Sequence, residues 1–198
     1  MPIQVNHDER RKLVGEVVAR IIASKGLEAV TVREVAKASG FSTRVVSHYF
    51  SGKREVLLLC YRQTAIRAQQ RLNSAVAAAP GDVAAGIDAL LPYHAQARED
   101  WLVWVSFWGM AIGDPEFSAV QRLQVRASQE YLQALLTTAM LPLPTHGFDP
   151  VYAARNLMAS LSGMVVQAAF DPEQWPSERQ QAYLRSAIKS AIESAEKP

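Results

Sequence analysis

The fold is decided by the stretch Thr31-Val-Arg-Glu-Val-Ala-Lys-Ala-Ser-Gly-Phe-Ser-Thr-Arg-Val-Val-Ser-His-Tyr-Phe-Ser-Gly-Lys53. Its apolar residues recur at helical spacing and show no strand alternation. Thr31 and Glu34 have the spacing of a capping box, and Gly40 is suited to end the helix that they open. Ser42 then caps a second short helix. The stretch therefore predicts two short helices joined by a three-residue turn.

A longer helix is predicted from about Asp8 to Ser24, so the first 53 residues have the pattern of a helix-turn-helix domain. We expect Phe41, Val46 and Phe50 to face the small core beneath the second short helix. Its other face would then point outward and carry groups that can hydrogen-bond to DNA in the major groove. That face consists of Thr43, Arg44, Ser47 and His48, with Val45 and Tyr49 at its margins.

Individual roles follow from side-chain chemistry. Arg44 can form a bidentate contact with guanine, and Val45 can touch a thymine methyl. Hydroxyl groups and Lys53 can bind phosphate oxygens beside the groove. The predicted DNA-binding residues are Thr31, Arg33, Ser42, Thr43, Arg44, Val45, Ser47, His48, Tyr49 and Lys53.

The same stretch, followed by Glu55-Val-Leu-Leu, resembles the DNA-binding domain of the TetR family of transcriptional repressors over about residues 10–60. The marks of this resemblance are the threonine cap, the Val-Ala pair, Gly-x-Ser, the Tyr-Phe end and the lysine that follows. The resemblance implies a dimer that binds a palindromic operator. Phe41 and Arg44 depart from the smaller residues common in the family, so the operator sequence cannot be transferred.

Composition and charge agree with a DNA-binding head. The chain has 198 residues and a formal net charge of +2, and it is 49% hydrophobic and 20% charged, as in ordinary globular proteins. Residues 1–55 hold ten Lys or Arg and six Asp or Glu, whereas the remainder holds eleven and thirteen. The longest apolar uncharged run, Trp101–Gly113, is too short for a membrane span of about 20 residues. A single cysteine and a polar N-terminus without an apolar export segment favour a cytoplasmic protein without disulfides.

The rest of the chain shows helical periodicity throughout, which predicts an all-α protein of about nine helices. We expect a helix-turn-helix domain at residues 1–53 and an effector-binding and dimerisation domain at residues 54–198. We expect a long helix that ends at about Ala78, a helix capped by Asp82 and a helix that begins at about Glu99. Further helices are expected to begin at Asp114-Pro115, Asp149-Pro150 and Pro176, and Leu141–Pro144 is expected to form a loop.

Aromatic residues cluster on the helix predicted from Glu99. Trp101, Trp104 and Trp108 fall on one face, and we include Phe107 as a fourth predicted ligand-binding residue. These rings are either core packing or the wall of a ligand pocket. Aromatic faces attract cations, and four acidic residues flank the helix: Glu99, Asp100, Asp114 and Glu116.

A second resemblance covers about residues 99–192. Val46–Phe50, Trp104–Trp108 and Arg122–Ser128 are similar to the BetI group of choline-responsive repressors. This resemblance implies a small-molecule effector that releases the repressor from DNA, for which a quaternary amine such as choline is one candidate. A hydrophobic or aromatic compound, with control of an efflux or catabolic operon, is the alternative.

The last two predicted helices, at about 149–170 and 177–195, are expected to pair in a homodimer. The first carries small residues that allow close approach: Ala153, Ala154, Ala159, Ser160, Ser162 and Gly163. The second carries an apolar stripe: Leu184, Ala187, Ile188, Ala191 and Ile192. The alternative is that this stripe is buried within one chain.

A helical enzyme is a distant alternative. His7, His48, His94 and His146 are scattered without metal-ligand spacing, and Cys60 lies in an apolar run typical of a core residue. The sequence therefore predicts no catalytic residues, no metal site and no cofactor. The long helix that follows Lys53 is expected to couple effector binding to the DNA-binding head.

Overall fold

The computed structural model describes residues 7–140 and 147–195. In these ranges the chain forms nine α-helices, a single 3₁₀ turn at Leu27–Ala29 and no β-strand, so the predicted all-α class is confirmed. The helices are α1 (His7–Lys25), α2 (Val32–Ser39), α3 (Thr43–Tyr49), α4 (Lys53–Ala78), α5 (Val83–Asp88), α6 (Ala95–Gly113), α7 (Pro115–Met140), α8 (Pro150–Phe170) and α9 (Ser177–Glu193).

Aspartate caps set three of the helix starts, as the sequence predicts. Asp82 accepts a backbone hydrogen bond in the first turn of α5, and Asp114 and Asp149 accept two each at the starts of α7 and α8. Pro115 and Pro150 follow directly, at the position where a missing N–H costs nothing. Local capping chemistry therefore divides the C-terminal half into its helices.

One predicted boundary is wrong. α6 begins at Ala95, one turn before the predicted start at Glu99, because Ala-Gln-Ala-Arg at residues 95–98 are good helix formers that extend the helix toward its N-terminus. The predicted loop Leu141–Pro144 and His146, one of the four scattered histidines, lie outside the described residues.

The first core joins the head to the body. Val18 of α1 and Val46 of α3 are buried in the same apolar cluster as Tyr61 of α4 and Phe107 of α6. Because α1 packs against both α4 and α6, the helix-turn-helix shares one core with these two helices. The domain boundary at residues 53 and 54 stays a prediction.

The second core lies among α5, α7, α8 and α9, and it corrects the predicted role of the α9 stripe. Leu184, Ala187 and Ala191 are buried within one chain, in the same cluster as Ala154 and Leu157 of α8. The apolar stripe is thus used for intrachain packing, the alternative noted from the sequence. Both α8 and the short helix α5 pack against α9, and Ile188 and Ile192 of the stripe are partly buried against the same cluster.

Candidate DNA-binding face and ligand cavity

The turn between α2 and α3 is built by the predicted caps. Thr31 Oγ1 accepts the N–H of Glu34 at 3.1 Å, and Ser42 Oγ accepts that of Val45 at 3.2 Å. Gly40 has φ 74° and ψ 8°, the left-handed conformation that glycine adopts without strain. These three positions hold α3 at a defined angle to α2.

The two faces of α3 differ as predicted. Val46 and Phe50 are 1% and 3% exposed and anchor the helix, whereas Phe41 is only partly buried at the edge of the core. Thr43, Arg44, Ser47 and His48 are exposed, with Val45 and Tyr49 partly exposed at the margins; Thr31, Arg33 and Ser42 are exposed or partly exposed nearby. The structure thus brings the predicted DNA-binding residues to one end of the molecule.

Two arginines of α1 that were not predicted as functional residues hold the C-terminal end of α3. Arg10 Nη1 donates to the hydroxyl of Tyr49 at 3.1 Å, and Arg11 Nη1 donates to the carbonyl oxygen of Tyr49 at 3.2 Å. Arg11 also pairs with Glu55 at 3.3 Å and lies over the ring of Phe50. Their only signal in the sequence was the basic character of the head.

The predicted phosphate contact Lys53 already has a partner, whereas no hydrogen bond or ion pair of Arg44 occurs among the described residues. Lys53 Nζ lies 3.6 Å from Glu28 Oε2, a pair that is open to solvent. Exchange of Glu28 for a phosphate costs little because exposed ion pairs contribute about 0–1 kcal/mol.

A cavity of about 320 Å³ lies between α4 and α8. The three predicted tryptophans line it, together with side chains that were not predicted because they come from four other helices. The lining includes Tyr61, Gln121, Arg155, Trp101, Trp104 and Trp108.

Phe107 is not among the residues that line this cavity. It is 2% exposed, stacks on Tyr61 with ring centroids 3.9 Å apart, and meets Phe117 edge to face. The prediction that Phe107 belongs to the ligand-binding set is therefore wrong. Phe107 lies on a different face of α6 from the tryptophans, and its ring supports Tyr61 on the side away from the cavity.

The tryptophans contact one another edge to face. The ring of Trp101 is 4.8 Å from that of Trp104 and 6.3 Å from that of Trp108, at interplanar angles near 90°. The Trp101 N–H donates to the carbonyl oxygen of Leu90 at 2.7 Å, whereas the buried N–H of Trp104 has no acceptor among the described residues. Trp101 thus has both of the expected roles, core packing and cavity wall.

Tyr61 closes the cavity toward the head. Its hydroxyl donates to Gln121 Oε1 at 2.5 Å, and burial raises the pKa of the phenol well above its ordinary value. The side chain therefore stays neutral at physiological pH and acts as a fixed hydrogen-bonding group.

The acidic residues beside α6 are already paired with arginines. Asp100 is fully buried and accepts hydrogen bonds at 2.6 Å from both Arg67 and Arg71, and Glu99 lies 3.5 Å from Arg67. A buried carboxylate is tolerable only with such partners. Asp100 and Glu99 do not line the cavity.

No metal-binding group of three or more His, Cys, Asp or Glu side chains occurs in residues 7–140 and 147–195. Cys60 is 1% exposed, and burial raises the pKa of its thiol to about 12, so it is a core residue as predicted. In the same ranges, every helix is too short or too polar to cross a membrane.

Comparison with known proteins identifies both halves of the chain. Residues 16–60 match the family described as bacterial regulatory proteins of the tetR family, and residues 80–193 match the BetI-type transcriptional repressor C-terminal domain. The transcriptional regulator PksA of Bacillus subtilis is 24% identical over 98% of this chain and 93% of its own length. BetI 1 of Chromohalobacter salexigens is 27% identical over 83% of this chain and 81% of its own length.

Solved structures show the same fold. A transcriptional regulator from Rhodococcus has a TM-score of 0.81 at 24% identity, with 95% of this chain and 98% of that chain covered. A protein from Saccharomonospora viridis, solved in complex with choline, has a TM-score of 0.82 at 19% identity, with 92% and 96% covered. The relatives and structural neighbours are transcriptional regulators, and the chain belongs to the TetR family, with a C-terminal domain of the BetI type.

Proposed function

We propose that this protein is a homodimeric repressor that binds a palindromic operator through α3 and releases it when a small molecule enters the tryptophan-lined cavity. The observation that carries the proposal is α4. This helix begins at Lys53, beside the DNA-binding face, and lines the cavity with Tyr61 and Leu72. At 1.5 Å per residue its 26 residues span about 39 Å.

In this proposal, ligand binding acts on operator binding through the distance between the two α3 helices of the dimer. A dimer reads two half-sites only when its α3 helices lie about 34–36 Å apart. A ligand that prefers a state with a tilted α4 shifts the pair to another separation and weakens operator binding. Its effect equals its preference for that state, because a ligand with equal affinity for both states shifts nothing.

The proposed dimer uses the faces of α8 and α9 that remain exposed in the single chain. Ala159 and Gly163 of α8 are exposed and small, and they allow close helix approach. Tyr152, Phe170 and Tyr183 are large and exposed at 49%, 75% and 37%. Pairing of these faces about a two-fold axis produces a four-helix bundle and removes this apolar surface from water.

DNA binding is tested by selection from a random duplex library, followed by fluorescence anisotropy on the selected sequence. We expect an inverted repeat with half-site centres about one helical turn, or a multiple of it, apart. Arg44→Ala should lose specificity, whereas Arg126→Ala, at an exposed arginine of α7 outside the helix-turn-helix, serves as a matched control. Failure to enrich any repeat would refute the operator proposal.

Dimerisation is tested by sedimentation at micromolar concentration. Gly163→Arg places a long charged side chain on the exposed face of α8, where the single chain has no atom beyond the local helix backbone within 4 Å of the position that a β-carbon would occupy. It should therefore produce a folded monomer with reduced operator affinity. A wild-type protein that sediments only as a monomer would contradict the proposal.

The effector is a small organic molecule, with two candidate classes. The aromatic wall favours a quaternary amine such as choline through cation–π attraction. An apolar or aromatic compound is favoured by a specific observation, the engagement of Asp100 and Glu99 by arginines outside the cavity.

A further inference from the structure

The charge of the cavity wall is unusual for a cation site. Arg155 is the one ionisable group of either sign that is charged at neutral pH among the described residues that line the cavity. Its side chain lines the cavity and is also exposed to solvent. No hydrogen bond or ion pair of Arg155 occurs within the described parts of the chain.

The carboxylates that could attract a cation are occupied elsewhere. Asp100 is held by Arg67 and Arg71 on the other side of α6, and Asp114 is held by Arg54 at the head. Each of these carboxylates is neutralised by a guanidinium at 2.5–2.6 Å. Among the described residues no carboxylate lines the cavity and Arg155 is its one charged group, so the lining favours a ligand of negative charge.

The tryptophan rings are not held apart as the walls of a cation cage would be. Trp101 fills the space beside both Trp104 and Trp108 by edge-to-face contact. A trimethylammonium group needs free ring faces on several sides. The rings instead form one continuous apolar wall, against which a flat or extended hydrocarbon can lie.

Polar groups around this wall favour a ligand with oxygen acceptors. The amide side chains of Gln121, Gln124 and Gln129 line the cavity and can donate their N–H groups to such a ligand. Its volume of about 320 Å³ lies at the lower end of the range for small organic ligands, about 300–1,000 Å³.

We propose that the effector is an apolar molecule that ends in an anionic oxygen group such as a carboxylate, which pairs with Arg155 while the hydrocarbon lies against Trp104 and Trp108. This inference rests on the proposed function, because it names the ligand class of the same cavity. Of the two candidate ligand classes, it chooses the apolar or aromatic compound and specifies that this compound carries a negative charge.

The test compares two probes that share a phenylpropyl skeleton and differ in the end group. These are 4-phenylbutanoate and trimethyl(3-phenylpropyl)ammonium, with choline as a third probe. Isothermal titration should show that the carboxylate binds more tightly by about tenfold or more, the size expected for a charge-assisted hydrogen bond. Equal affinities, tighter binding of either ammonium probe, or no heat from the carboxylate would overturn the proposed ligand class.

Two variants distinguish the loss of the ion pair between Arg155 and the ligand from a loss of folding. Arg155→Gln should abolish the preference for the carboxylate while it leaves thermal unfolding unchanged. Arg126→Gln, an exposed arginine of α7 that does not line the cavity, is the matched control and should retain the preference. An Arg155→Gln protein with an unchanged preference would also overturn the inference.

A separate readout keeps the two proposals distinguishable. Operator binding without any probe tests the repressor function alone. If operator binding is specific but the ammonium probe releases it, the ligand class is wrong and the repressor function stands. If 4-phenylbutanoate binds through Arg155 and operator binding is absent, the repressor function is wrong and the ligand class stands.

Discussion

Arg54, in the first turn of α4, donates hydrogen bonds to both carboxylate oxygens of Asp114, the residue that caps α7. Arg54 also donates to Glu116 at 2.6 Å and lies over the ring of Phe117, 4.7 Å from its centroid. The hydrogen bond from Arg54 lowers the pKa of Asp114 to about 2. The start of α4 is thereby fastened to the junction of α6 and α7, two helices that line the cavity.

Asp114→Asn keeps an oxygen to cap α7 and removes the charge that pairs with Arg54. The folded-state pKa lies below the ordinary value of 3.8, so the stabilisation is complete above about pH 4 and is lost as the pH falls through about 2. We expect the wild type to melt above Asp114→Asn at neutral pH, with a difference that shrinks in acid. Calorimetric scans across this range measure it.

Glu193→Gln is the control for that series. Its pair with Lys189 is exposed on the surface of α9, and such pairs contribute little. A difference between wild type and Asp114→Asn that persists at full size below about pH 2 would contradict the assignment.

Arg54→Gln should weaken the connection between cavity and head without a change in ligand affinity. Couplings between sites are typically about 1–3 kcal/mol, or about 5- to 150-fold in affinity. We expect a smaller loss of operator affinity upon addition of 4-phenylbutanoate, as measured by fluorescence anisotropy. A response equal to that of the wild type would show that α4 is coupled through its other contacts alone.

Val45 and Val46 are neighbours that face opposite environments. Val46→Ala removes buried methyl groups from the core and should reduce the free energy of unfolding by about 1–3 kcal/mol. Val45→Ala should leave that free energy nearly unchanged and weaken binding to the selected operator. Urea denaturation and anisotropy, run on both variants, check the contrast, and equal losses of stability would disprove the orientation of α3.

Arg44 and Lys53 should affect DNA binding in different ways. Arg44→Ala is expected to cost about 1–3 kcal/mol and to relax specificity at the bases it contacts. Lys53→Gln should weaken binding to all sequences and reduce the salt slope by about 1. Titrations at several salt concentrations, on the selected operator and a scrambled duplex, distinguish them; a sequence-independent loss in Arg44→Ala would remove Arg44 from base recognition.

Asp100 should be essential for stability. Asp100→Asn leaves Arg67 and Arg71 without their common counter-charge in a buried site, and the loss of one partner from such a group costs about 3–5 kcal/mol. Chemical denaturation measures this cost. A variant as stable as the wild type would mean that water replaces the carboxylate.

The helix-turn-helix was predictable to the residue because its determinants are local. A cap acts on backbone groups three residues away, and Gly40 adopts a conformation that depends on its missing β-carbon. Helical periodicity also placed Val46 and Phe50 inward correctly. The α6 start was missed by one turn because good helix formers allow several boundaries.

The cavity was predictable only in part. One stripe of tryptophans was visible on a single helix, but Phe107 was assigned to the ligand set because its distance to the tryptophan face depends on what packs against α6. The acidic residues were one argument for a cationic ligand, and the arginines that pair with them are 29 to 62 positions distant in the chain.

Local chemistry in the chain was thus sufficient for the helices, their caps and the outward face of α3, since each depends on groups within a few residues. The use of each helix face and the pairing of the carboxylates with arginines depend on packing between distant segments of the chain. The α9 stripe could serve either a partner or its own chain, and the position of α8 settled its use. The charges near α6 could attract a cation or bind arginines, and the packing of α4 against α6 directed them to arginines.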